Sequence, residues 1–374
     1  MRQNKYIEGS DALQGCSREL INFLSEKPKP LNIVVAPDFF MDRLIDLDYD
    51  PEHFSSEIAG IVERKGGSID QIPQTDQRGG NAINVASALL TLGAKVTPIV
   101  CTSKLGLEQI SFLLREYDVD TSHVKTFSKA SVTTAMEFRT SRGKANVMLR
   151  DLGSLAEFGP ADLTEEDYKL IEDADYVCLF NWAGTQKHGT RLAESVFKRA
   201  KAKGKCKTYL DTADPLPNEY EIPRLIEKVL ETDQVDILSL NENEAVTFAS
   251  SLSTEINKQR KKIEFNELAL LSAQVLAKKL KARIDLHTTT FSATVKTEGA
   301  VFVPAFKVKP LRATGAGDAW DAGNIIGDAN GLSDECRLTL ANAVSACYLS
   351  DSDGVHPTRQ KLARFLRKTE IVGR

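Results

Sequence analysis

The stretch Arg312-Ala313-Thr314-Gly315-Ala316-Gly317-Asp318-Ala319-Trp320-Asp321-Ala322-Gly323 has two glycines around an alanine, followed directly by an aspartate. An apolar run with helical spacing (Ala319, Trp320, Ala322, Ile325, Ile326) begins at the same point. Glycine lets a backbone turn tightly and bring its N–H groups close to a ligand. A helix start adds unsatisfied N–H groups and the positive end of its dipole, and together these seat a phosphate group. A carboxylate beside bound phosphate is unfavourable unless it has chemistry to do. The chemistry open to Asp318 is accepting a proton from a hydroxyl that attacks phosphorus. The same residues also make an ordinary capped turn, so taken alone the stretch leaves both readings open.

The elements that would position such a site can be read along the chain. Apolar runs of strand length alternate with helical periodicity, the pattern of βαβ units around a parallel sheet. Strands are expected at Ile33–Ala36, Val96–Cys101, Tyr176–Phe180, Thr208–Leu210, Val235–Leu240 and Ile284–Thr288, with helices at Ala82–Leu92, Gly106–Tyr117 and Leu338–Ser350. Val132, Thr134, Met136 and Phe138 alternate with polar or small residues, a turn follows at Ser141–Lys144, and Ala145–Arg150 returns. This predicts a β-hairpin over about 131–150 that projects from the main sheet as a lid or an oligomerisation element. Residues 1–30 read as a helical extension (Leu13, Leu20, Ile21, Leu24) closed by Pro28 and Pro30, ahead of a main domain over 31–374. Residues 50–77 read as a polar loop, and 251–282 as a helical insertion that opens on a charged, solvated stretch.

Bulk properties narrow the function classes. The 374 residues carry a net charge of −4 with both signs interspersed, which gives no support for a nucleic-acid surface. No apolar run is long enough to span a bilayer, and the polar start does not read as a signal peptide. The six cysteines lack metal-site spacing and read as free thiols in a cytoplasmic protein, while the five histidines are scattered. A dinucleotide-binding oxidoreductase would need GxGxxG after the first strand, where this chain has Ala36-Pro37-Asp38-Phe39-Phe40.

Ligands of a doubly wound sheet gather at the carboxyl ends of its strands. The polar residues there are Asp38 and Asp42; Asn181; Asp211, Thr212 and Asp214; and Asn241 to Glu244, a set suited to hydroxyl recognition and magnesium. A second glycine element, Gly79-Gly80-Asn81-Ala82-Ile83-Asn84, opens the helix Ala82–Leu92. It reads equally as a ligand contact and as a loop with Asn81 as helix cap.

With these motifs in order, the chain resembles the PfkB, or ribokinase-like, family of sugar and nucleoside kinases over about residues 31–360. GAGDAWDAG matches the family's C-terminal signature, Gly79-Gly80 with Asn84 its N-terminal one, and Asn241 to Glu244 its NxxE motif; the hairpin falls at the family's lid. The resemblance implies an α/β fold, a doubly wound, mostly parallel sheet flanked by helices with a small hairpin lid. It implies Asp318 as catalytic base and Gly315, Ala316 and Gly317 as anion hole. Asp42, Gly79, Gly80, Asn84 and Asn181 would hold the acceptor. Asn241, Glu244, Thr288, Thr314 and Asn342 would lie at the nucleotide, with Glu244 serving Mg²⁺ through water.

Departures from the family pattern qualify this. Arg312 and Ala313 replace an Asp and a Thr, so a guanidinium stands where the family often binds a monovalent cation, and independence from K⁺ is expected. His287 to Ser292 replace a glycine-containing loop, leaving ATP as the default donor and ADP or another nucleotide as alternatives. Phe40 and Met41 point either to an acceptor with an apolar part or to core packing. Arg139, Arg150 and Arg312 read as surface arginines or as ligands of an acceptor phosphate. The expected reaction moves a phosphoryl group from ATP to a hydroxyl of a sugar or sugar acid; a nucleoside, then a sugar phosphate, are the next acceptors. A non-catalytic binding relative would have lost the base or the anion hole, and this chain keeps both. Homodimerisation through the apolar face of the lid hairpin is expected.

Overall fold

Short, largely apolar and buried runs build most of a nine-stranded sheet. The computed structural model describes residues 5–6, 10–141, 143–312 and 314–372, with the backbone alone for 5–6, 10–14, 144 and 369–372. Ala313, Arg142 and the side chain of Leu13 lie outside the described residues. From one edge the strands run Lys5–Tyr6, Gly299–Pro304, Phe291–Lys296, Arg283–His287, Ile237–Asn241, Lys207–Asp211, Tyr176–Leu179, Asn32–Ala36 and Lys95–Pro98. Pairing is parallel except where Phe291–Lys296 runs antiparallel to both neighbours. Alternate residues feed two cores. Val177, Leu179, Leu210 and Leu238 pack on one side with Phe197, Phe248 and Leu276, while Tyr176, Cys178, Tyr209 and Ile237 pack on the other with Ile83, Leu89, Ile325 and Leu340. This is the doubly wound, mostly parallel α/β sheet expected from the sequence.

The strand Asn32–Ala36 lies between Lys95–Pro98 and Tyr176–Leu179, so connections leave it in opposite directions. The crevice at such a reversal is where ligands of open α/β sheets bind. Asp38 stands just beyond it.

The lid is larger than a hairpin. Ser131–Thr140 and Gly143–Asp151 form the expected antiparallel pair, and Phe40–Asp46 and Gln74–Gly79 extend it to a four-stranded sheet. Residues 50–77 are therefore not a loop. Pro51–Glu63 is a helix whose N-terminus is capped by the Asp50 carboxylate, which accepts from the His53 N–H at 2.9 Å. Phe54 of that helix packs edge-on against Phe138 at 5.5 Å, so part of the apolar face assigned to a partner chain is covered by the protein itself. Val147 and Leu149 on the outer strand remain exposed.

The two supposed additions are integrated as well. The helix Ser10–Ser25 buries Leu20 and Leu24 in the core shared with Leu362 and Leu366 of the helix Arg359–Val372. Within 251–282, the helix Phe265–Lys279 buries Leu268, Ala273 and Leu276 in the other core and lies on the connection from Ile237–Asn241 to Arg283–His287. No described helix is long and apolar enough to cross a membrane.

Candidate active site

Gly315 has φ +82°, a left-handed conformation that suits glycine, and a Cβ there would lie 2.6 Å from the Tyr348 hydroxyl oxygen. It ends the loop from which the helix Ala316–Ala329 starts. Gly315, Ala316 and Gly317 thus present free N–H groups at a helix N-terminus, and Asp318 sits in its first turn. The helix is held at depth by a polar stripe on its inner face. Asp321 accepts from the hydroxyls of Tyr209 at 2.6 Å and Ser239 at 2.7 Å. Asn324 donates to Asp285 at 2.9 Å, and Asp328 accepts from Lys207 at 2.7 Å.

The buried Asp318 carboxyl is gripped by two amides from the second glycine element. Asn81 Nδ2 donates to Oδ1 at 2.9 Å and Asn84 Nδ2 to Oδ2 at 2.8 Å. Burial pushes its pKa up to about 7; the two amides pull it back, while Asp211 and Asp38 add repulsion. The element that carries the amides is itself pinned. Gly80, at φ +84°, is the N-cap of the helix Asn81–Thr91, and a Cβ on it would meet Phe39 Cα at 2.8 Å. The cap acceptor is the carboxylate of Asp38, which takes the N–H groups of Asn81 and Ala82 at 2.9 and 2.8 Å. Asn81 is therefore not the cap but a ligand of Asp318.

Asp42 lies on the lid strand Phe40–Asp46, against Gly79 of the facing strand: a Cβ on Gly79 would come within 2.2 Å of its carboxyl. Burial raises its pKa to about 6, offset by a hydrogen bond from Thr133 and by the Arg150 charge, and its Oδ1 is buried without a partner. An unpartnered buried carboxylate oxygen at the mouth of a crevice is suited to an incoming hydroxyl.

Other expected contacts take different parts. Asn181 is 2% exposed; its amide donates to Asp38 at 2.9 Å and its oxygen accepts from Gly184 N–H at 3.0 Å. Both ends of its amide are thus engaged within the protein, where it braces Asp38. Asn84 contributes its oxygen to Arg78 Nε at 3.0 Å as well as its amide to Asp318. Asn241 and Glu244 close a reciprocal capping box on the helix Glu242–Leu252. Glu244 is buried, and desolvation with repulsion from Asp211, Asp214 and Glu242 drives its pKa well upward.

A cleft of about 190 Å³ is lined by Thr288, Phe306, Gly317, Trp320, Asn342 and Leu349, among others, and so reaches the start of the helix Ala316–Ala329. Thr288 holds the turn that follows its strand, accepting from the N–H of Phe291 at 3.0 Å. Asn342 is anchored by Ser292 and Trp320 at 2.6 and 2.9 Å. Thr314 is exposed beside the glycines.

Arg312, singled out in the sequence, lies behind the lid with a second cation, Arg78, that sequence reasoning missed. Arg312 Nη2 donates to Gln77 at 2.9 Å, and Gln77 is the cross-strand neighbour of Asp42. The Arg312 guanidinium lies over the Tyr348 ring at 4.9 Å, and Tyr348 stacks on His356 at 4.6 Å. Arg78 donates to Asn84 and to Ser87, and lies 3.2 Å from His356 Nδ1. No local pattern marks Arg78, whose partners are set by the tertiary fold. Among the described residues, neither Arg78, Arg312 nor Arg150 makes an ion pair with a carboxylate.

Comparison with known proteins decides the family: residues 45–361 match the model of the pfkB family of carbohydrate kinases. The chain belongs to the pfkB family. Solved structures with the same fold include adenosine kinase from Sinorhizobium meliloti, with a TM-score of 0.65 and 19% identity over 92% of this chain and 100% of that one. Ribokinase from Cryptococcus neoformans var. grubii serotype A, solved with ADP, gives a TM-score of 0.67 and 14% identity over 92% and 100%. The Methanocaldococcus jannaschii nucleoside kinase gives 0.63 and 16% over 91% and 99%. No curated protein matches the sequence. This pfkB chain thus has its fold and kinase class from the family, while the acceptor must be argued from its own site.

Proposed function

We propose that this pfkB kinase transfers the γ-phosphoryl group of ATP to a hydroxyl of a sugar derivative that carries an anionic group, a sugar acid or a sugar phosphate. The observation that carries the phosphoryl-transfer part is the double amide grip on Asp318 at a glycine-capped helix N-terminus. A carboxyl poised near neutrality is suited to take the proton of an acceptor hydroxyl, and the N–H groups of Gly315 to Gly317 are suited to the migrating phosphoryl oxygens. Asp42 orients the acceptor by its free oxygen, with Gly79 and Gly80 allowing close approach. The cleft beside Thr288, Asn342 and Gly317 takes the nucleotide. Thr314 lies where a phosphate would pass.

Glu244, Glu242 and Asp214 crowd together without an ion-paired cation among the described residues, which fits Mg²⁺ held through water near Asn241 and Glu244. When bound, Mg²⁺ supplies neutralisation of phosphate charge.

The anionic acceptor is favoured by Arg78, Arg150 and Arg312. Arg312 reaches the lid strand beside Asp42, Arg150 lies 5.2 Å from the Phe40 ring centroid, and none of the three makes a close ion pair among the described residues. Guanidinium forks match carboxylate and phosphate better than they match a neutral nucleoside. A screen that measures the phosphorylated acceptor over matched pairs (ribose and ribose 5-phosphate, glucose and gluconate, adenosine and its monophosphate), with ATP, GTP and ADP as donors, tests this. Faster turnover of the neutral member of each pair would reject the anionic reading, and a nucleoside preference would replace it. We also carry forward a homodimer, now through the exposed outer lid strand with Val147 and Leu149, for which sedimentation velocity gives the answer.

A further inference from the structure

Three side chains with metal-binding atoms meet beneath the anion hole: Asp211 at the end of one strand, His287 at the end of another, and Asp321 one turn below Asp318. Their donor atoms all lie within 4.8 Å of one another. Asp321 is 1% exposed, and only its Oδ1 is engaged, by Tyr209 and Ser239; its Oδ2 has no partner. His287 Nε2 is likewise buried without a partner, and its ring lies tilted on Trp320 at 4.9 Å. Asp211 is fixed through Oδ1 by the Ala213 N–H at 2.9 Å. Each carboxylate is thus oriented by hydrogen bonds on one oxygen, the outer support that metal-binding carboxylates usually have. Two buried, unpartnered polar atoms aimed into one small space call for an occupant.

We propose that Asp211, His287 and Asp321 bind a divalent transition-metal ion, of the Zn²⁺ or Mn²⁺ class, distinct from the Mg²⁺ that accompanies a nucleotide at Glu244. The imidazole nitrogen selects a transition ion over Mg²⁺, whose preferred donors are oxygen. Metal–ligand bonds of about 2.1 Å place tetrahedral donors about 3.4 Å apart, so closure asks each side chain to move by under about an ångström. The rival occupant is a proton shared between the two carboxyls, which leaves His287 Nε2 unpartnered. The open side of the site faces Gly317, whose Cβ position lies 3.3 Å from His287 Cε1.

The test uses the full chain, stripped with a chelator and held free of nucleotide, so that it does not depend on the proposed reaction. Zn²⁺ and Mn²⁺ are titrated separately, with bound metal measured after desalting and Co²⁺ absorption recorded as a coordination signature. One equivalent per chain is expected, with a rise in Tm. His287→Gln and Asp321→Asn should each weaken binding at least about tenfold, and more than Glu244→Gln does. Absence of stoichiometric binding by the unaltered chain would overturn the proposal, as would unchanged affinity in His287→Gln. Since His287 makes no hydrogen bond through Nε2, that variant keeps the test decisive even if Asp321→Asn fails to fold.

Discussion

Removing the Asn84 side chain by Asn84→Ala should shift the pH profile of the kinase before it changes anything else. The carboxyl of Asp318 titrates near 7 because burial raises it while Asn84 and Asn81 hold the ionised form down. A hydrogen bond to a charged group contributes about 1.5 to 3 kcal/mol, which corresponds to roughly one to two pKa units. Without Asn84 the carboxyl would then titrate at about 8 to 9. Since the base works deprotonated, kcat/KM rises with pH through this pKa. At pH 7 the ionised fraction falls from about half to roughly one-tenth to one-hundredth, so kcat/KM drops about 5- to 50-fold. At pH 9.5 the variant should recover to within about a factor of two of the parent. The assay is coupled ADP release over pH 5.5 to 9.5, repeated with Asn81→Ala, which should move the same limb in the same direction. A loss of equal size at pH 7 and pH 9.5 would refute the reasoning, because it would place Asn84 on the acceptor rather than on the base.

Further outcomes follow from the same geometry. Asp318→Asn should abolish turnover, and its stability has a sign: a folded pKa near 7 against about 3.9 unfolded means the wild-type carboxyl destabilises the fold increasingly as pH rises between those values. The variant should therefore melt about 2 to 5 °C above the parent at pH 8 and converge with it below pH 4, as read by calorimetry. Gly79→Ala would set a methyl group within 2.2 Å of the Asp42 carboxyl; displacement on that scale is expected to lower kcat/KM for the acceptor about a hundredfold while far-UV circular dichroism stays native. Turnover should be the same in K⁺ and in choline salts, because the Arg312 guanidinium already fills the space against Gly354; strong activation by K⁺ would sink this reading.

Six of the parallel strands, from Asn32–Ala36 to Arg283–His287, were legible because each carries an apolar run, whereas Lys5–Tyr6 was not; the Gly315–Asp318 seat was legible because its conformation demands glycine at a fixed spacing. The lid was half legible. Ser131–Thr140 alternates, but the strand Gln74–Gly79 is polar throughout and mostly exposed, so no apolar period marks it. The helix Pro51–Glu63 buries no residue, and its one signal was the Asp50-Pro51 start, a capping residue ahead of a proline at the first helical position. Pairings such as Asn84 with Asp318, 234 residues apart, leave no trace in local spacing. Asn181 looked like a ligand because it follows a strand, yet its left-handed backbone at φ 49° turns the amide inward onto Asp38. Arg78 and His356 were invisible for the same reason: their partners are decided by tertiary packing alone.

The helix Ser10–Ser25 lies against Arg359–Val372, and Arg359 donates to the carbonyls of Phe23, Leu24 and Glu26 at the end of the first helix and to that of Leu92. During synthesis the earlier helix emerges from the ribosome long before its partner exists. Leu20 and Leu24 therefore lack the cover of Leu362 and Leu366 while more than 300 residues are made. A chain cut short before residue 359 lacks the clasp, and with it the cover that Leu362 and Leu366 give the first helix.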